Sequence, residues 1–491
     1  MFGGVFYLII YPVNLASTLI RNVKNILVGD LGWSDVKDIA SLRTPVRLHQ
    51  LRWDGGDRAG VEEFDEVTIV QFGLVGRLLS MNMALVRPKK ESTTLVRDLL
   101  KRLDSLPETR SAFQPLNKLS GHPQFISTSG REGMDGRKKF VAHLPPPQDI
   151  INVAIQLTKA TLIKEKDKLM VNNLTRIENL VQRILLSMML GCELTPQATE
   201  ALATMSRVLL QGASITSEVK QQYRAWIAEL VRLGIDADED IIPSVLSRII
   251  KDKIKQDIVM LTVEERRSLQ ELLEKDPEID ACVTVLLTAN NVAIAITRAF
   301  EYSCYEAECA EIITGVTDGL IYPEQLIKMP MMQQLLEEMK EVGVSFYHGE
   351  SSPDYISKIR NMKFLDCLYK ESLYHSRFAD EDFIIRKTPI SLSVDGARTI
   401  PAGTTILIRR RYLETRPNGF YPGRFRESDA PKLGSHRFAP FSEGERKCPG
   451  ERIAEIIFKV VVAVVAERSA KINEEKLSRE MDGVICQVKL N

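Results

Sequence analysis

Between Asp280 and Phe300 the chain reads DACVTVLLTANNVAIAITRAF, apolar around nearly the whole circumference of a helix. A helix without a polar face has to be enclosed on every side, so this one runs through a core. A second apolar run, Ile453 to Ala466, follows a cysteine-bearing loop and continues as a helix. The chain's 491 residues are long for one domain but within reach of one large enzyme. Apolar content of 44% and charged content of 26% are ordinary for a globular chain. Sixty-five basic residues balance 65 acidic ones, and a formal net charge of zero gives no bulk attraction to nucleic acid.

Residues 2–20 are almost uncharged and end at Arg21 and Lys24. Such a segment just spans a bilayer, and the cations after it would hold the body on the cytoplasmic side. The alternatives are an interfacial helix and an amphipathic core helix. No basic residue precedes the apolar part, which argues against a cleaved signal peptide. Val67–Val70 and Leu78–Val86, separated by Gly73 and Gly76, read as a strand hairpin. Residues 88–103 read as a helix. Residues 105–149, rich in Pro, Gly and Ser, read as a long loop with one short helix, and Arg137-Lys138-Lys139 within it as a solvated basic patch. Residues 150–276 are helical in periodicity, with a stop at Gly191. Pro330–Val342 and Phe364–Phe378 read as amphipathic helices, and strands follow at 390–394 and 399–408 around an Asp395-Gly396 turn. There is no internal repeat, low-complexity tract or clear domain linker.

Seven cysteines are scattered without a C-x-x-C pair, which argues against a disulfide framework and a zinc site. One of them sits in Phe441-Ser-Glu-Gly444-Glu-Arg446-Lys-Cys448-Pro449-Gly450-Glu-Arg452. Cations and helix N-termini lower a thiol's pKa, and thiolates bind soft and borderline metals. Arg446 and Arg452 are the nearby cations. Pro449 suits a first helical position, which would aim the positive end of the next helix at Cys448. Gly444 and Gly450 let the backbone approach a large flat ligand.

This window resembles F-x-x-G-x-R-x-C-x-G, the haem-thiolate loop of the cytochrome P-450 superfamily, at every fixed position: Phe441, Gly444, Arg446, Cys448 and Gly450. The resemblance implies a mainly α fold with a small β region. It implies haem b, with Cys448 as the axial thiolate and metal ligand and Arg446 on a haem propionate. The family fixes a helix by Glu-x-x-Arg, one turn apart; here the pair is Glu371 and Tyr374. The Pro422-Gly-Arg424-Phe425 segment resembles the one whose arginine pairs with that glutamate. Arg424 is therefore the expected partner of Glu371, a lock behind the cysteine loop. The family also has a tryptophan and an arginine four residues apart near the haem edge, and this chain has no such pair.

In the central helix the family carries an acid and an alcohol that feed protons to dioxygen. Aligned on Ala289, this chain has Asn290, Asn291, Val292 and Ala293, so the acid has become valine and the alcohol alanine. Asn290 and Asn291, through water they hold, and Thr288 and Thr297 from an adjacent turn are the remaining relay candidates. The Ala-Asn pair resembles a branch in which some members use dioxygen and others rearrange a peroxide.

The resemblance thus implies a monooxygenase that hydroxylates a lipophilic small molecule such as a sterol, fatty acid or terpenoid. Electrons would come from NADPH through a flavoprotein, cytochrome P-450 reductase. An anchor at 1–24 would precede a single catalytic domain at 25–491, on the cytosolic face of the endoplasmic reticulum membrane. Two rivals stand beside this reading: a reductase-independent hydroperoxide or endoperoxide isomerase or dehydratase, and a non-catalytic haem or lipid-binding protein.

Overall fold

The computed structural model describes residues 67–71, 82–86, 95–106, 114–121, 128, 130–166, 169, 171–191, 202, 215–236, 244–254, 261–286, 288–303, 321, 329–347, 354–376, 383–393, 399–409, 420–426, 433, 438–442 and 446–488. Residues 1–24, Arg377, Gly444 and the turns at Gly73–Gly76 and Asp395–Gly396 lie outside them. The architecture is mainly α with a small β region.

Val67–Gln71 (β1) and Asn82–Val86 (β2) pair antiparallel with Val67 opposite Val86, the hairpin read from the alternation. Strand β2 also pairs in parallel with Thr405–Arg409 (β6), which pairs antiparallel with Phe383–Lys387 (β3). The sheet order is β1-β2-β6-β3, beside a small ribbon of Leu392–Ser393 (β4) and Thr399–Ile400 (β5). Leu95–Ser105 (α1) covers this sheet through Val96, Leu99, Leu100 and Leu103, and buried Asp104 of α1 meets Arg386 Nε of β3 at 2.8 Å.

The stretch read as loop between 105 and 149 is instead largely helical: Gln114–Ser120 (α2), Gly130–His143 (α3), then the start of Pro147–Lys164 (α4). Glycines at 130, 133 and 136 lower helix propensity by about 1 kcal/mol each, and packing against the cysteine loop overrides it.

Leu174–Leu190 (α5) begins at Asn173, whose Oδ1 accepts from Arg176 N at 3.1 Å, and ends at Gly191 with φ 71°, the left-handed cap that favours glycine. Ser217–Asp236 (α6), Val245–Ile254 (α7) and Val263–Leu273 (α8) complete the helical middle, α8 opened by a Thr262/Glu265 capping box.

The central segment is two helices, Pro277–Leu286 (α9) and Ala289–Ser303 (α10). At the junction Thr288 N reaches Val285 O at 3.0 Å, and the Thr288 hydroxyl donates to the same carbonyl at 2.6 Å. That side-chain bond tightens the turn and interrupts the regular ladder just before Asn290. Among the described residues, 277–303 is the one stretch long and apolar enough to cross a membrane, yet most of it is buried in protein.

Pro330–Val342 (α11) starts on its proline and ends on Gly343 at φ 69°. Tyr355–Asn361 (α12) and Lys363–His375 (α13) precede the β region, and Pro422–Arg426 is one 3-10 turn. Glu451–Val488 (α14) closes the core, with every residue from Ile457 to Ala466 buried. Helix α14 packs along α4, and α10 lies against α5, α13 and α14.

Candidate functional site

The cysteine loop is built by short backbone bonds. Ser442 takes φ 67°, and its N–H reaches Ala439 O at 2.9 Å, closing a tight turn. Cys448 N–H then donates to Phe441 O at 2.8 Å, so Phe441 and Cys448 face each other across the loop. Phe441 packs its ring on the main core. Ala454 N reaches Gly450 O at 2.8 Å, which makes Gly450 the residue that caps α14. Pro449 therefore precedes the cap rather than occupying the first helical position. The half-buried Cys448 thiol still lies just ahead of the N-terminus of α14, the positive end of its dipole. A Cβ built on Gly450 would lie 3.6 Å from Cys448 Sγ. Arg452 is exposed, so of the two flanking arginines it is Arg446 that the fold buries.

Helix α3 backs this loop. Arg446 Nη2 donates to Thr128 O at 2.6 Å, and a Cβ on Gly133 would lie 2.5 Å from the same nitrogen. One turn later on α3, Arg137 donates from Nη2 to the carbonyl of Lys447, the residue before Cys448. Its Nε is buried without a hydrogen-bond partner. The solvated basic patch read from the sequence is thus corrected: Lys138 and Lys139 are exposed, but Arg137 turns inward because the Lys447 carbonyl takes its guanidinium.

Glu371 is 0% exposed, and Arg424 is 9% exposed. Arg424 Nε donates to Glu371 Oε2 at 2.7 Å, and Tyr421 N–H donates to Oε1 at 2.7 Å. Tyr374 lays its ring 5.4 Å from Arg424 Cζ and contacts Phe438 edge-on at 5.7 Å between centroids. His375 Nε2 lies 2.9 Å from Glu371 Oε1, close but off the line of an aligned hydrogen bond.

On α10, Asn290 and Asn291 are half-buried, whereas Val292 and Ala293 are buried at 8% and 0%. The Thr297 hydroxyl is buried without a hydrogen-bond partner. Gly444 lies outside the described residues.

Residues 322–469 match the family model described as Cytochrome P450. Over that range the chain is similar to the cytochrome P450 family. It is 32% identical over 125 residues to Cytochrome P450 4d1 of Drosophila melanogaster, covering 24% of this chain and 24% of that one. Cytochrome P450 83A1 of Arabidopsis thaliana is 28% identical over 166 residues, covering 32% and 31%. The chain thus spans about a quarter to a third of the length of these curated relatives. A crystal structure of CYP175A1 from Thermus thermophillus matches at 16% identity and a TM-score of 0.47, covering 79% of this chain and 82% of that one.

The matched range holds Glu371, Tyr374, Arg424, Phe441, Arg446 and Cys448, and it begins after Asn290, Asn291 and Thr297. Two further features fit a porphyrin held by Cys448: the orphaned Nε of Arg137 and a thiol at a helix N-terminus. Sequence reasoning missed Gly133, Arg137 and His375. The i, i+4 spacing of Gly133 with Arg137, and of Glu371 with His375, is a helical signal that was open to reading in each case.

Proposed function

We propose that this chain is a cytochrome P450, a haem b monooxygenase that hydroxylates a lipophilic small molecule, with dioxygen and with NADPH electrons delivered by cytochrome P-450 reductase. The observation that carries this reading is Cys448 in a backbone-bonded loop ahead of α14, with Arg446 and Arg137 beside it. Cys448 would supply the thiolate, and Arg446 and Arg137 would face the porphyrin's carboxylates. Phe441 and Gly450 would shape its seat, together with Gly444. When bound, a thiolate-ligated haem supplies the O–O cleavage chemistry that no side chain can.

The protein's own task is to hold that group and move protons. Glu371, Tyr374 and Arg424 would fix the loop's backing. Asn290, Asn291 and Thr297 would place protons or water on the distal side, because Val292 and Ala293 have none to give. The balanced formal charge gives no bulk attraction to nucleic acid. We read residues 25–491 as one catalytic domain, with residues 1–24 as its anchor in the endoplasmic reticulum membrane and the body in the cytosol.

A second reading is a reductase-independent peroxide isomerase or dehydratase. The buried Val292–Ala293 pair favours it, since a rearranged peroxide needs no relayed proton. The test is the reduced, carbon-monoxide-bound spectrum of wild type and Cys448→Ser, followed by turnover with NADPH plus reductase against turnover with peroxide. Wild type should show the long-wavelength thiolate band, and the serine variant should lose it. Protein that stays colourless with haem supplied sinks both readings.

A further inference from the structure

We propose that His375 is a positioning residue. With Arg424 it clamps Glu371 from two sides, and this clamp holds the 420–426 turn, and through it the cysteine loop, against α13. The geometry stands by itself; the consequence for the cysteine rests on the haem-thiolate reading above.

A carboxylate as deeply buried as Glu371 costs several kcal/mol unless it is compensated by charge and hydrogen bonds. Arg424 satisfies Oε2 from the far side of the interface, and the Tyr421 N–H satisfies part of Oε1. The remaining approach to Oε1 comes from within α13, where His375 stands 2.9 Å away at i+4. Its imidazole turns the polar Nε2 edge toward that oxygen.

The ring is held in that position by three other aromatic side chains. Centroid distances from His375 are 5.3 Å to Tyr302 of α10, 5.4 Å to Phe420 and 5.7 Å to Tyr374. Tyr302 and Phe420 are themselves stacked at 4.9 Å and 7°. His375 therefore ties the central helix, α13 and the segment entering the 3-10 turn at one point.

From there, a line of rings reaches the loop. Phe425 lies 6.3 Å from Tyr374 and 5.7 Å from Phe438, which stands at the loop's entry. Tyr374, at i+3 from Glu371, places its flat face on Arg424 and keeps that guanidinium aimed at the carboxylate. The single arginine of the pattern this helix resembles is thus divided between two neighbours: Tyr374 provides the face and His375 the second polar contact.

The experiment uses the full chain with haem supplied and compares His375→Leu, His375→Arg, and His375→Leu combined with Tyr374→Arg. The readouts are the thiolate share of the reduced carbon-monoxide spectrum and the thermal midpoint. His375→Leu should lose at least half of the thiolate band and melt earlier, and each arginine variant should restore both. A leucine variant with the wild-type band and midpoint overturns the proposal, as does failure of both arginine variants to restore what leucine loses. Should the leucine variant not fold, His375→Arg decides alone: a wild-type-like band supports the clamp, and its loss overturns it. Should wild type bind no haem, the haem-thiolate reading fails separately. The midpoints of Glu371→Gln, His375→Leu and their double variant then decide the clamp, additive losses refuting it.

Discussion

The guanidinium of Arg446 occupies the space that a side chain on Gly133 would need. A Cβ there would lie 2.5 Å and 2.9 Å from the two terminal nitrogens and 2.2 Å from the carbonyl oxygen of Thr128. Gly133 is an interior helical residue, so two effects oppose each other at this position. Helix propensity alone would make Gly133→Ala stabilising by about 1 kcal/mol. Overpacking costs about 1–3 kcal/mol, and backbone at Thr128 cannot swing aside as a flexible side chain could. Packing should win: Gly133→Ala is expected to unfold at lower denaturant concentration and to retain less haem, as read by chemical denaturation and pigment absorbance. A gain in stability would show that Arg446 sits elsewhere.

Thr297 gives the opposite pattern. Its buried hydroxyl has no hydrogen-bond partner, so Thr297→Val should leave stability unchanged or raise it by about 1 kcal/mol. If that hydroxyl serves the proton path, product formed per NADPH consumed should fall several-fold in the same variant. Equal coupling in both proteins would remove Thr297 from the relay.

Asp280 should impose a pH dependence on stability. Burial pushes its carboxyl up from the ordinary value of 3.8 to about 7, Asp276 adding to the rise and the Tyr223 hydroxyl opposing it. The folded state then holds a proton that the unfolded chain has already released, so this group's contribution to stability falls as pH rises from about 4 to about 7. Above that range the full penalty applies, on the order of 4 kcal/mol at most. Asp280→Asn should flatten that slope and melt higher than wild type at about pH 8, measured by thermal unfolding across pH. Parallel curves for the two proteins would contradict it.

Asp104 and Arg386 form the buried ion pair that ties α1 to the sheet, at 2% and 3% exposure. Asp104→Ala leaves a buried guanidinium without its carboxylate and should cost about 3–5 kcal/mol. Replacing both, as Asp104→Leu with Arg386→Met, should recover most of that loss in the same denaturant titration.

The sequence was legible where one local pattern decided the outcome. The hairpin at 67–86, the caps at Pro330 and Gly191 and the approach of Arg424 to Glu371 each followed from a turn signal, a cap or a motif. The cysteine loop carried its own signature, and the family match covers it. Where tertiary packing overrode propensity, the reading failed. Glycines made α3 look like loop, whereas a glycine at 133 is what lets that helix approach Arg446. Strand β3 was missed because FIIRK is short and mostly apolar, and its partner β6 lies beyond the β4–β5 ribbon. The break at Thr288 depends on one hydroxyl choosing the Val285 carbonyl, which periodicity cannot show.

The buried stretch of α14 lies C-terminal to every other described element, while its neighbour α4 belongs to the first half of the chain. During synthesis that earlier helix can pack on α5 soon after it emerges from the ribosome, but the face that α14 covers has no partner until much later. The partly assembled body must therefore wait, open to solvent or to a chaperone, until residues 451–466 arrive. Cys448 emerges at the same late moment, so its loop and the face of α4 that α14 covers are completed together.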